Sequence, residues 1–229
     1  MAIISIDDRF RTGKVYTIRQ AADLASVSPG TVRNWLYGTT TTEGYEMSPI
    51  FGDKKGGIEE TARVSFLELA ELIVVARFRK VRIKLQRIRD AHSFARREWD
   101  LAYPFAHLNL TSIGGHVLRE FQEEVPGQGR FVVLSAPNQY VLPGIVENEL
   151  ERFDYSDADR FVTRWHPYGR DIPVVVDPHY GGGKPTIAGR GVSVEILCRR
   201  WKAGESFASI ARDFRLRPPE VEAVLQRVA

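Results

Sequence analysis

The sequence has a single cysteine, Cys198, among its 229 residues. No internal disulfide can form, and no C-x-x-C or Cys/His spacing is available for a structural zinc. Cys198 lies in the apolar pattern "VEILCRRW", which predicts a small core residue of a reducing compartment. No apolar run approaches the ~20 residues needed to cross a bilayer. The opening "MAIISIDDRF" lacks a basic n-region followed by an apolar h-region, so a cytoplasmic protein with no membrane partner is expected.

Catalytic signatures are equally scarce. The histidines His92, His107, His116, His166 and His179 show no H-E-x-x-H spacing. No G-x-S-x-G nucleophile elbow exists. Asp154, Asp157 and Asp159 lie close together but lack the D-x-D-x-D-G loop with its distal glutamate. The expectation is a protein with no catalytic residue, no metal and no cofactor, and not an enzyme.

What the chain does have is uneven charge. The formal net charge is only +3, yet residues 1–100 hold 17 basic and 13 acidic side chains and residues 101–170 hold 6 and 9. Between Arg77 and Arg97 there are nine Lys/Arg and one acid, Asp90. Such a stripe is either a solvated helix face or the electrostatic footprint of a nucleic-acid partner.

The stretch "YTIRQAADLASVSPGTVRNWLYG" (16–38) carries the strongest local signals. Thr17 and Gln20 form a capping box ahead of a short helix whose apolar face is Ile18, Ala21, Ala22, Leu24 and Ala25. Ser28 is a second N-cap, with Pro29 where its missing N–H costs nothing. Val32, Trp35 and Leu36 face inward, and Gly38 ends the helix. Two short helices so joined make a helix-turn-helix. The segments "YEMSPIF" and "ARVSF", connected by "GDKKGGIEET", are expected to be the strands of a wing. Ser65 then caps "SFLELAELIVVARFRK", and after a break near Val81 an amphipathic helix runs through "IKLQRIRDAHSFARREWD".

Beyond residue 100 the pattern changes. "HLNLTSIGGHVLREF" predicts a hairpin turning at Ile113–Gly115, "RFVVLS" a strand, and "VLPGIVENELERF" a helix. A Tyr- and Asp-rich connector, "DYSDADRFVTRWHPYG", leads to the short buried strand "IPVVVD". After a glycine-rich loop, helices are expected over "SVEILCRRWKAG", "SFASIARDF" and "PPEVEAVLQRV". The fold expected is α+β and mostly helical. It comprises an N-terminal winged helix-turn-helix with helical extension (1–100), a small β-meander and helix in the middle (101–170), and a helical, helix-turn-helix-like C-terminal domain (171–229).

A helix-turn-helix reads DNA from exposed polar residues early in its second helix. Those positions are Ser28, Thr31, Arg33 and Asn34, with Tyr37 further along. Arginine suits guanine, asparagine suits adenine, and Ser and Thr suit phosphate. Arg19, Lys54 and Lys55 are candidate backbone contacts. The C-terminal pair offers Glu220 and Glu222 instead, which phosphate repels, so it reads as a packing or protein-binding unit.

The loop "YGGGKPTIAGRG" superficially suggests a phosphate site. However, Pro178 stands where a Walker A motif needs its first glycine, and Pro185 stands where it needs Ser or Thr. The expected role is a tight turn in which glycines let backbone pass close to a neighbour.

Two resemblances rest on these residues. Residues 16–38, with the following wing and helix pair, resemble the MerR-like winged helix-turn-helix family. "GGGKPTIAGRGVSVEILCRRWKAGESFASIARDF" resembles a domain with the pattern G-K-P-x-I-x-G-T-R-I-x-V, a helix, A-G-E-S and a helix-turn-helix, found mainly in bacterial and archaeal antitoxins. Gly183, Lys184, Pro185, Ile187, Gly189, Val194 and Ala203–Ser206 match it, whereas Gly189–Arg190–Gly191 departs from G-T-R. In this order the two domains resemble long VapB-type antitoxins. The resemblance implies a homodimeric repressor of its own operon that binds operator DNA and neutralises a PIN-like, VapC-type ribonuclease toxin. Lys184 and Arg190 are then candidate partner contacts. The other reading left open is a MerR-like transcriptional regulator whose C-terminal domain senses a ligand or dimerises.

Overall fold

Helices dominate, and the strands are short antiparallel pairs. The computed structural model describes residues 6–40, 44, 46–51, 63–108, 110 and 144–228. Lys54 and Lys55, the hairpin expected to turn at Ile113–Gly115 and the strand expected over 130–135 lie outside them. The described residues form two compact units. One comprises Thr12–Glu151 and Tyr155–Val162; the other comprises Met1–Arg11, Arg152–Asp154 and Thr163–Ala229. No helix among the described residues is long and apolar enough to cross a membrane. A helix α1 over Ile6–Thr12 had no counterpart in the sequence reading.

The first unit is built around one helix. After β1 (Tyr16–Thr17), α2 (Ile18–Ala25) and α3 (Pro29–Tyr37) form the helix-turn-helix, and β2 (Thr39–Thr40) and β3 (Glu46–Met47) follow. Next come β4 (Arg63–Val64), α4 (Phe66–Lys80), α5 (Leu85–Trp99), a 3-10 turn at Pro104–Ala106 and α6 (Gly144–Leu150). From Phe66 to Ala76 every residue of α4 is buried, the signature of a helix enclosed on all sides. It packs against α2, α5, the 3-10 turn and α6.

That position buries carboxylates, and each one is matched. Glu68 accepts the Ser65 N–H at 2.8 Å and pairs with Lys14. Glu71 accepts the Phe105 N–H at 3.1 Å and lies 3.0 Å from His92 Nε2. Glu149 of α6 takes Arg77 Nε at 2.7 Å. A buried charge is tolerable only with such partners.

The wing differs from expectation. The segments 45–51 and 62–66 do supply strands, but these do not pair with each other among the described residues. Instead β3 pairs with β2 (Thr39↔Met47, Thr40↔Glu46), and β4 pairs with β1 (Tyr16↔Val64, Thr17↔Arg63). Strands of two residues carry no alternation from which partners can be read, so the pairing is decided by tertiary packing.

The stretch 154–169 is likewise more than a connector. It contributes to β5 (Phe153–Tyr155) and β6 (Val162–Trp165), which pair. In the second unit Trp165 bridges to Val176, at the end of β7 (Val174–Val175), and β7 pairs with β8 (Thr186–Ile187). Helices α7 (Val194–Lys202), α8 (Phe207–Phe214) and α9 (Pro218–Val228) follow. Val174, Ile187, Leu197, Ile210, Val221 and Val224 lie at the centre of their common core. Cys198 is partly buried against it, and that burial pushes its thiol above the ordinary cysteine range.

The glycine loop is the β7–β8 connection. Gly181 has φ +59°, and a Cβ there would lie 2.5 Å from Thr186 Cγ2. Gly182 has φ +62° with nothing within 4 Å of its Cβ position. We therefore expect Gly182→Ala to cost about 1 kcal/mol, the left-handed backbone alone, and Gly181→Ala at least about 1 kcal/mol more from overpacking. Urea unfolding of the two variants checks this; equal losses would show that the turn yields freely.

Asp154 Oδ2 meets His166 Nε2 at 3.1 Å, and its Oδ1 meets Arg170 Nη2 at 2.8 Å. Burial opposes its ionisation, but these hydrogen bonds outweigh that and hold its pKa below the ordinary value. The stability so gained is present above the unfolded carboxylate pKa of about 4. It is lost as pH falls through the lower folded value. Thermal unfolding of the wild type should thus lose more stability below about pH 4 than that of Asp154→Asn; parallel profiles would refute the assignment.

Candidate nucleic-acid interface

Capping fixes where both helices of the helix-turn-helix begin. Thr17 Oγ1 accepts the Gln20 N–H at 3.2 Å, while Gln20 Oε1 accepts the Thr17 N–H at 2.9 Å. The capping box is therefore closed. At the far end of α2, Ser26 adopts φ 58°, and the Val27 N–H returns to the Ala22 carbonyl at 3.0 Å. Two residues later Ser28 Oγ accepts the Thr31 N–H at 3.1 Å and Pro29 opens α3. Val32, Trp35 and Leu36 are buried, so the opposite face of α3 is left outward.

That face holds Gly30, Arg33, Asn34 and Tyr37, spaced i, i+3, i+4 and i+7 along one side of the helix. Gly30 and Asn34 are exposed, and Arg33 and Tyr37 half-buried. A side chain at Gly30 would meet only Ser28 Oγ, at 3.8 Å, so the first turn is bare backbone. No hydrogen bond or ion pair among the described residues engages the side chains of Arg33, Asn34 or the exposed Arg19. Ser28 and Thr31 are placed otherwise: their hydroxyls lie 2.8 Å apart, tied together in the cap.

A second element follows α3 directly. Gly38 has φ +76°, and a Cβ there would strike the Met47 carbonyl at 2.5 Å. Only glycine lets the chain turn from α3 into the β2–β3 hairpin at this approach. The Ile50 N–H returns to the Trp35 carbonyl at 2.8 Å, and Arg89 Nε of α5 donates to the Ser48 carbonyl at 2.8 Å. Burial lowers the Arg89 pKa, with Asp90 opposing. Helix and hairpin are thus held to one frame. The Thr-Thr-Thr-Thr run before Gly44 is the sequence signal for this hairpin, which lies earlier in the chain than the expected wing.

The basic stripe divides in the structure. Arg77 and Arg89 are structural, and Arg79 Nη1 donates to the Ile83 carbonyl at 2.6 Å. Lys80, Arg82 and Lys84 are exposed where α4 gives way to α5.

In the second unit, Lys184 Nζ lies 3.2 Å from Glu195 Oε2 in an exposed pair, an interaction of small energetic weight. Arg190 is exposed between Gly189 (φ 69°) and Gly191 (φ 63°). Helices α8 and α9 form a second helix-turn-helix-like pair. Ser206 Oγ caps α8 by accepting the Ser209 N–H at 3.2 Å, and Arg215 turns the chain at φ 55°. Glu220 of α9 is held by Arg217 through its backbone N–H (2.8 Å) and guanidinium (2.9 Å). These bonds from Arg217 lower the Glu220 pKa, so α9 presents a firmly ionised carboxylate in its first turn, where phosphate would have to approach.

Residues 14–92 match the family described as "Putative DNA-binding HTH domain", and residues 174–226 match a "Protein of unknown function" family, DUF433. The chain is 28% identical over 233 residues to a Mycobacterium tuberculosis (strain ATCC 25618 / H37Rv) protein named "Putative antitoxin VapB45", covering 94% of each. The crystal structure of Rv2018 from Mycobacterium tuberculosis shares the fold, with a TM-score of 0.70 at 24% identity over 94% of this chain and 99% of that one. The chain is therefore similar, almost end to end, to an antitoxin-named mycobacterial protein, and the helix-turn-helix at its N-terminal end lies within the residues that match the HTH family.

Proposed function

We propose that this protein is the antitoxin of a type II toxin–antitoxin module. It binds its own promoter as a homodimer and represses the operon, and it holds a PIN-like, VapC-type ribonuclease inactive in the cytoplasm. The observation that carries the DNA half is the stripe Arg33, Asn34 and Tyr37 on α3. These side chains face outward beside the bare backbone of Gly30, and the guanidinium and amide have no partner among the described residues. Arg33 and Asn34 read base edges; Arg19, with Lys54 and Lys55, meets phosphate. Ser28 and Thr31 act by holding the first turn of α3 at the groove. The similarity to a protein named as an antitoxin over 94% of each chain supports the toxin half, with Lys184 and Arg190 as partner contacts. A homodimer follows from the two half-sites that a helix-turn-helix repressor reads.

Replacing Arg33 and Asn34 together by alanine should weaken binding to the promoter at least about 30-fold, two base contacts being worth about 1–3 kcal/mol each. Gel-shift titration measures this, with circular dichroism to show an unchanged fold. Unaltered affinity would refute the recognition-helix assignment. Co-expression with the product of the neighbouring gene tests the toxin half: growth rescue and co-purification are expected, and neither would be seen if the protein were only a regulator.

A further inference from the structure

The second unit contains an open pocket of about 420 Å³, lined by Arg164, His166, Asp154, Asp177, Tyr180 and Arg190 together with the backbone of Gly189 and Gly191. Its size is that of a site for a small organic molecule or a single inserted side chain. The balance of donors and acceptors within it is lopsided. Asp177 is almost completely buried, with Oδ2 taken by Arg164 Nε at 2.6 Å and Oδ1 by the His179 backbone N–H and Nδ1 at 2.9 and 3.0 Å. Both oxygens of Asp154 are engaged by His166 and Arg170. The carboxylates of the pocket are therefore spoken for.

The cationic donors are not. Arg164 uses only Nε on Asp177, and its side chain is half exposed. The Arg190 guanidinium makes no hydrogen bond or ion pair among the described residues; its backbone N–H is held by the Ile187 carbonyl at 3.1 Å, and the side chain's described interaction is a Coulombic influence on Glu220, which Arg217 already holds. A pocket with satisfied carboxylates and unspent guanidinium groups selects an anion. Val175, Ile187 and Ala188 complete the lining, and the exposed Tyr180 ring stands beside them. That apolar share suits an anion on a short aliphatic stem and not inorganic phosphate, whose every face needs a donor.

We infer that this pocket binds a carboxylate carried on a short aliphatic chain, held by the guanidinium of Arg190 with the Nη groups of Arg164. The carboxylate is either a free small acid or the side chain of an aspartate or glutamate on a protein partner. The inference does not rest on the antitoxin reading, since the pocket is argued from its own donors.

Glutarate is the probe, titrated calorimetrically into the full chain at constant ionic strength, with neutral glutaramide of the same shape as the control. Glutarate should bind and glutaramide should not, and Arg190→Gln should weaken glutarate at least about 10-fold, the weight of a charged hydrogen bond. Arg190 is exposed, so its thermal midpoint will confirm that the variant folds; Arg190→Lys should fall between wild type and Gln because it keeps charge but loses the fork. A second arm uses the purified product of the neighbouring gene. If the carboxylate is protein-borne, Arg190→Gln weakens that complex by a similar factor and glutarate competes with it. If the acid is free, glutarate binding falls while the complex is unchanged. Glutaramide binding as well as glutarate would overturn the proposal, as would an Arg190→Gln variant with both interactions intact. Failure of the wild type to hold the neighbouring product at all would defeat the antitoxin reading and leave the glutarate result to judge the pocket.

Discussion

The placement of the helix-turn-helix depends on one buried carboxylate. Glu68 stands at the third position of α4, almost wholly out of water, and closes the capping box of Ser65. The same group pairs with Lys14, two residues before β1. A carboxylate in the first turn of a helix is favoured by the helix dipole, but its burial demands a cation and hydrogen bonds. Lys14 supplies the cation, and in doing so brings the segment that leads into α2 against the start of α4. The β1–β4 pair completes the junction by setting Thr17 opposite Arg63. The N-cap of α2 is thus the last residue of one paired strand, and the N-cap of α4 directly follows the other. The central helix and the first helix of the helix-turn-helix are fixed to one another at their origins.

From that junction the geometry passes outward. The αL residue Ser26 reverses the chain, Ser28 and Pro29 start α3, and Trp35 and Leu36 bury its inner face. What α3 has left for a partner is determined by this burial: once three apolar positions are committed to the core, residues 30, 33, 34 and 37 must face out. The hairpin after Gly38 is tied back through Ile50 and, from α5, through Arg89. Part of the basic stripe therefore serves to hold α3 and the hairpin in one frame. Lys80 and Arg82 are exposed at the α4–α5 corner and Arg96 and Arg97 near the far end of α5, so net positive charge alone overstates how many groups of the stripe are available to one phosphate backbone.

Features governed by neighbouring residues were legible in the sequence. The capping box of Thr17 and Gln20, the caps at Ser28 and Ser65, the stop at Gly38 and the break after Lys80 all depend on contacts within a few positions. Each is present where the residue types placed it. The inward set Val32, Trp35 and Leu36 follows in the same way from helical periodicity. Strand pairing was not legible. Tyr16 finds Val64 across 48 positions, and Met47 finds Thr39 across eight, on strands too short to show period two. Hydrophobic pattern also failed to reveal the engagement of individual charges. Arg33 and Arg89 are the same residue type on amphipathic helices. One is unengaged among the described residues and the other grips a backbone carbonyl, and only tertiary packing separates them.

The glycine-rich turn shows the same distinction between composition and engagement. Three glycines and a lysine invite a phosphate, because a cradle is made of backbone N–H groups with nothing else to do. Here the Gly183 N–H is given to the Tyr180 carbonyl at 3.0 Å, and that of Lys184 to Gly181 at 3.2 Å. Pro185 has no N–H to give, and the Lys184 ammonium meets Glu195. Two of the donors that would make an anion cradle are thus spent in building the turn, and Gly181 is needed because Thr186 packs where its side chain would be. The loop therefore acts through what it positions: β8 beside β7, and beyond β8 the exposed Arg190 between two left-handed glycines. The exposed positive charge beyond β8 is presented by the Arg190 side chain on a turn between two glycines, a geometry suited to meeting a carboxylate on another molecule and poorly suited to wrapping a nucleotide's phosphates.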